Sequence, residues 1–233
     1  MVSAQDIECM IRWATDFWTD YCNRTIPPPY AITEAQDLVH KYPTDIKYHE
    51  KNSTKFYQIH KHASTVGNKT PVADAALLQA SRFYNTCCLS VVMLWEALSL
   101  AFEDQPWFLA LSWRRAKVHP PAHVFFKREY LGSNPVHDFL VLDTTDQLTY
   151  VLDFTGAQFG FKKMVYTLEE YGVWLPDGVG REVVSGEMIA FYMDRLPAEE
   201  VEEMEREREA LRGGVGSVGY EGGGANEFIR RGA

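Results

Sequence analysis

The apolar positions of the chain change period near residue 107, dividing a helical first half from a stranded second half. Ile7, Ile11, Ala14, Trp18 and Tyr21 recur at helical spacing behind Ser3, and Asp6 stands three positions after that serine. A capped amphipathic helix is therefore expected there. The three prolines of "TIPPPY" end it. Thr33, with Gln36 in the box position, predicts a short second helix to about Tyr42. Residues 43–70 are weakly patterned and predict loop, with one strand around Lys55–His60. Thr70-Pro71, a capping residue followed by proline, predicts a helix running to about Arg82. The stretch "CCLSVVMLWEALSLAF" follows. Val91, Leu94, Trp95, Leu98 and Phe102 form its stripe, and Val92, Met93 and Leu100 make the other faces apolar too. A helix apolar nearly all round is buried on several sides, so this one should be central.

From Trp107 the segments "WFLALSW", "HVFFKREY", "VHDFLVLD" and "TYVLDF" are short, rich in aromatic and β-branched residues, and separated by turn residues. Helices first and strands later is the order of an α+β fold with an antiparallel sheet. Pro197 opens a charged helix with acids in its first turn, where the helix dipole favours them. The expected units are thus one α+β domain over 1–196, a charged helix over 197–212, and a glycine-rich, disordered tail over 213–233.

Composition narrows the function classes. The chain is 46% hydrophobic and carries a net charge of −9, with nine acids against five bases in residues 197–233. A general polyanion-binding surface is not expected of it. One segment departs from this balance: "WRRAKVHPPAHVFFKR", residues 113–128, gathers Arg114, Arg115, Lys117, Lys127 and Arg128. It reads either as a strand edge guarded by charge or as a local patch for an anionic substrate, a carrier or a tRNA backbone. Four cysteines behind an amino terminus without an apolar leader suggest reduced thiols and a cytoplasmic protein. The longest apolar run is interrupted by Glu96, so no membrane span is expected. His119 and His123 are four apart, but Pro120 and Pro121 forbid the helix that would align them on a metal. His60 and His62 read as an exposed pair. No metal or cofactor is implied.

The chemistry lies around the hairpin "VHDFLVLDTTDQLTYVLDF". A pairing centred on "TTDQ" sets His137 opposite Phe154 and Asp153 opposite Asp138, so an imidazole and a carboxylate meet at the open end. A thiol at a helix amino terminus beside an imidazolium is activated as a nucleophile, and "NTCC" supplies Cys87 and Cys88 in the first turn of the buried helix. Cys87 lies nearer the centre of the apolar stripe and Cys88 at its edge, so helical phase favours Cys88, with Cys87 as the alternative.

Cysteine at the start of a buried helix, histidine opening a strand and aspartate ending the next resembles the papain-like and transglutaminase-like superfamily. "DFTGAQFG" is also similar to the Asp-x-Thr-x-x-Gln-Phe stretch of some bacterial-toxin and uncharacterised branches. The resemblance covers roughly residues 80–166. Thr86 or Cys87 stands where the family has glycine. It implies a papain-like or transglutaminase-like core and a cysteine-dependent acyl transferase that forms or cleaves an amide bond through a thioester. Cys88 (or Cys87) would be the nucleophile, His137 the base and acid, and Asp153 its orienter. Arg114, Arg115, Lys117 and Gln158 are the candidate substrate-binding residues. The substrate would be a small-molecule, peptide or carrier-bound acyl group. An aminoacyl-tRNA donor, as used by cyclodipeptide synthases of the arginine-containing type, is the alternative. A catalytically inactive binding module of the same fold is the alternative of another class.

Overall fold

Ser3 caps the first helix in a full capping box: its side chain accepts from the Asp6 backbone, and the Asp6 carboxylate accepts from the Ser3 backbone. The computed structural model describes residues 2–35, 55–67, 69–125 and 135–215. The single amino-terminal helix expected is two, α1 (Ala4–Met10) and α2 (Arg12–Thr25), separated at Ile11. Both keep the expected stripe, with Ile7, Ile11, Ala14, Trp18 and Tyr21 all buried.

The helix expected from Thr33 begins instead as a strand. β1 (Ala31–Glu34) pairs antiparallel with β2 (Lys55–His60), which is the strand expected there. Thr33 caps nothing, because its hydroxyl is bonded to His60 Nε2 at 2.8 Å in the sheet. The remainder of that helix, residues 36–42, lies outside the described residues. The helix expected from Thr70-Pro71 starts late, as α3 (Ala75–Arg82), capped by Asp74. A tertiary bond overrides the local start signal: Val72 N donates to Ile32 O at 2.7 Å, holding the preceding residues along β1.

α4 (Cys87–Glu103) is the central helix, with Val91, Val92, Met93, Leu94, Ala97, Leu98 and Phe102 buried. The strands that follow are β3 (Phe108–Lys117), β4 (Ala122–Phe125), β5 (Val136–Thr144) and β6 (Thr149–Leu152). They do not form one antiparallel sheet. β4 joins β2 in parallel, completing a three-stranded sheet in the order β1-β2-β4. The second sheet is antiparallel throughout, in the order β7-β6-β5-β3-β8, with β7 at Val165–Thr167 and β8 at Arg181–Glu182. Between these lies α5 (Leu168–Gly172), and α6 (Ser185–Met193) follows β8. The sequence reading assigned none of these last four elements.

The five-stranded sheet is buried on both faces. Side chains alternate along a strand, so β5 sends Leu140 and Leu142 into the core shared with Trp113 and α4. It sends Phe139 and Val141 into a second core with Val151, Phe159, Phe161, Tyr166 and Tyr171. The charged helix expected from Pro197 is α7 (Ala198–Val215), and it is part of the body. Met204 and Leu211 are buried in the α4 core, and Arg208 and Arg212 both bind Glu96 of α4. Residues 216–233 of the expected tail lie outside the described residues. The chain is therefore a mixed α+β protein. Among the described residues no single helix is long and apolar enough to cross a membrane.

Candidate functional site

The hairpin of β5 and β6 pairs Leu140 with Leu152 and Val141 with Val151, one residue out of the expected register. The ladder stops at Leu152, and Asp153 N donates to Met164 O at 2.8 Å. The register sets Asp153 opposite Phe139, on the face that His137 shares two residues earlier. His137 Nε2 and Asp153 Oδ2 are 2.9 Å apart, and both side chains are fully buried. Three further features fix the carboxylate. Thr155 N donates to Oδ1 at 3.1 Å, and the Tyr171 hydroxyl donates to Oδ2 at 2.8 Å. Gly156 is pressed against it, since a Cβ there would stand 2.6 Å from Oδ2.

The imidazole packs edge-on to Phe159, with ring centroids 4.7 Å apart. Its Nδ1 is buried and has no hydrogen-bond partner. Burial alone would push the His137 pKa down. The charge and hydrogen bond of Asp153 outweigh that, the influence of Cys87 adds to them, and the result is raised to about 10. The ring is thus suited to carry a proton at neutral pH and to share it with a thiol.

Of the two candidate thiols, Cys87 is the one that bears on the imidazole, whereas helical phase favoured Cys88. Successive helical residues point about 100° apart. Cys87 turns toward the open end of the hairpin and is 9% exposed, buried by the site rather than by the apolar stripe. Cys88, half-buried, lies toward Arg115 and Tyr192. Burial, then the charges of Asp138 and Cys87, push its pKa up to about 12 against the partial relief of Arg115. It is a poor nucleophile near neutrality.

The loop before α4 is held by Gln158. Asn85 adopts a left-handed conformation with φ of 60°, which asparagine tolerates, and donates its N–H to Gln158 Oε1 at 3.0 Å. Gln158 sits in the short 3₁₀ turn Gly156–Phe159 directly after β6, so one side chain ties the end of the hairpin to the start of α4. The residue is 3% exposed, and its Nε2 is buried without a partner. Thr86 precedes α4 but gives it no side-chain cap, because its hydroxyl donates back to Phe83 O. The start of α4 therefore carries no side-chain cap.

Asp138 is the residue that sequence reasoning missed. It alternates with His137 along β5 and faces α4. Its Oδ1 accepts from Trp113 Nε1 at 2.9 Å and Arg115 Nε at 2.8 Å, while Oδ2 accepts from another Arg115 nitrogen at 3.0 Å. The Cys87 sulfur is 3.8 Å from Oδ2. Of the candidate basic residues that are described, Arg115 joins the site and Arg114 and Lys117 do not. Arg114 pairs with Glu182 at 3.1 Å, and Lys117 lies 3.9 Å from Asp177. Lys127 and Arg128 lie outside the described residues. His119 and His123 fall on either side of the start of β4, and His123 is half-buried against Phe56 and Phe159, with its pKa pushed down to about 4 by desolvation. His60 is buried between Thr33 and Thr65 rather than exposed. Among the described residues no group of three or more His, Cys, Asp or Glu side chains could hold a metal ion.

No family model matches the chain, and neither a curated protein nor a solved structure matches it.

Proposed function

We propose that this protein is a cysteine-dependent acyl transferase of papain-like or transglutaminase-like type, with Cys87 as nucleophile, His137 as base and acid, and Asp153 as its orienter. The observation that carries the reading is His137 Nε2 held 2.9 Å from Asp153 Oδ2, with Cys87 Sγ 3.8 Å from Asp138, the neighbour of His137 on β5. The amino terminus of α4, where Cys87 stands, supports it, since backbone N–H groups there can face an oxyanion.

The Cys87 thiol gives its proton to His137 Nδ1, the ring nitrogen not engaged by Asp153. Sulfur attacks the acyl carbon, a C–S bond forms, and the carbonyl electron pair moves to oxygen. The N–H groups at the start of α4 and the free Gln158 Nε2 are the donors available to that oxygen. Collapse breaks the bond to the leaving amine, alcohol or thiol, which departs with the imidazolium proton. In the second half an acceptor, water or an amine, loses a proton to His137, attacks the thioester and frees the Cys87 thiolate.

A narrower version has an aminoacyl ester, such as that on a tRNA, as the donor. Asp138 favours it. In an aminoacyl thioester the α-nitrogen lies about 3–4 Å from sulfur by ordinary bond lengths. Asp138 Oδ2, 3.8 Å from Cys87 Sγ, is within reach of an ammonium there once the thiol proton has left.

Limiting iodoacetamide at pH 6, read by peptide mass spectrometry, tests the main reading. Cys87 should label ahead of Cys9, Cys22 and Cys88. Equal, slow labelling of all four would leave no activated thiol and would sink it.

A further inference from the structure

Asp153 Oδ2 is shared. It accepts from His137 Nε2 at 2.9 Å and from the Tyr171 hydroxyl at 2.8 Å. Tyr171 comes from α5, an element with no part in the cysteine–histidine pair, and is fully buried. Its ring is enclosed by Phe139, Phe161, Tyr166 and Trp174, with centroids 5.1 to 5.7 Å away. An aromatic shell of that kind needs only a phenyl ring to fill it. A hydroxyl buried there costs free energy unless it is bonded, and it donates to the carboxylate that holds the imidazole.

We propose that Tyr171 is a positioning residue whose hydroxyl fixes the Asp153 carboxylate against His137 Nε2 and limits how strongly that oxygen pulls on the imidazole proton. This rests on the acyl-transfer reading above. Without Tyr171 the carboxylate is held only by Thr155 N on Oδ1 and by the imidazole itself. Two donors on one oxygen also weaken each other, because each withdraws charge from the same lone pairs. The hydroxyl stays protonated and remains a donor, since burial and then the Asp153 charge raise its pKa well above 10.

Tyr171→Phe keeps the ring and removes the hydroxyl. The iodoacetamide rate at Cys87 at pH 6 should fall about tenfold, the equivalent of one hydrogen bond to a charged group, because losing the carboxylate's fixed aim outweighs the stronger pull of the freed oxygen. The low-field proton resonance of His137 Nε2–H should move further downfield, because Oδ2, relieved of its second donor, becomes the stronger acceptor. Placing 3-fluorotyrosine at position 171 makes a better donor of nearly the same shape and should move that resonance upfield. In an Asp153→Asn background, Tyr171→Phe should lower the labelling rate no further. A role in packing alone gives a lower melting temperature with an unmoved resonance and an unchanged rate, and that pattern overturns the proposal. Should Tyr171→Phe not fold, the direction of the fluorotyrosine shift still decides. If wild-type Cys87 labels no faster than Cys9, the acyl-transfer reading itself falls. If it labels fast but ignores position 171, only the role of Tyr171 falls.

Discussion

Asp153→Asn changes one oxygen to an NH₂ group, and the bonds around that group dictate how the amide must sit. Thr155 N donates to Oδ1, so that site needs an acceptor and takes the amide oxygen. The NH₂ group then occupies the Oδ2 site, facing His137 Nε2 and the Tyr171 hydroxyl oxygen. To pair with it, Nε2 must accept. The ring proton moves to Nδ1, the nitrogen needed to receive the thiol proton. The imidazole also loses the charge that raised its pKa, and burial, which opposes protonation, is left unbalanced. At pH 6 the ring should be neutral and in the wrong tautomer.

Two magnitudes follow. The corresponding change in serine-protease triads costs about 10⁴-fold in rate, so a fall of about 10²–10⁴-fold in Cys87 labelling is expected for an intrinsically better nucleophile. Stability should fall by about 1–3 kcal/mol, because a charge-assisted bond is weakened rather than an unpaired charge created. For a chain of this size that is a few degrees, at about 2–4 °C per kcal/mol. Stopped-time alkylation with peptide mass spectrometry, alongside calorimetry, measures both. A melting temperature lowered by several degrees with an unchanged thiol rate would refute the reasoning and make His137 and Asp153 a structural pair.

Cys88→Ser should leave iodoacetamide labelling at pH 6 within about twofold of wild type, while Cys87→Ser removes the fast site; the reverse pattern would return the nucleophile to Cys88. Gly156→Ala brings a methyl group to 2.6 Å from Asp153 Oδ2, so it should cost about 1–3 kcal/mol by denaturant titration and slow labelling of Cys87 as the carboxylate is displaced. Leu211→Ala should cost about 2–5 kcal/mol, since Leu211 is buried in the α4 core; an unchanged unfolding midpoint would put α7 outside the cooperative unit. The His137 shift also ties stability to pH. With the pKa raised from 6.5 to about 10, the bound proton stabilises the fold fully below about pH 6.5 and its contribution is lost as pH rises toward 10. The melting temperature should therefore decline over that range, and less steeply in Asp153→Asn.

What could be read from the sequence was whatever depends on period and order. The buried helix, the hairpin and the meeting of His137 with Asp153 follow from a 3.6-residue pattern, a two-residue pattern and a turn, all local signals. The register differs by one residue, and that difference sets Asp153 opposite Phe139, on the same face as His137 two residues earlier. Thr33 and Thr70 misled for the opposite reason. Each is a good local cap, and each lost to a partner distant in sequence, His60 in one case and the Val72–Ile32 bond in the other.

The choice between Cys87 and Cys88 could not be made from helical phase, because phase ranks residues by burial and assumes that the buried one belongs to the core. Here the more buried thiol lies 3.8 Å from the buried carboxylate of Asp138 rather than among apolar side chains alone. Tyr171 was beyond reach for a related reason. It sits in a five-residue helix with no apolar period of its own, and it reaches Asp153 only because β7 folds back beside β6. Gln158 shows the intermediate case. Its sequence neighbourhood drew notice through a resemblance, but its bond to Asn85 depends on how the turn after β6 meets the loop before α4. A site assembled from the ends of four elements is thus visible in sequence only through those members whose own element fixes their direction. The thiol and the tyrosine acquire theirs from packing.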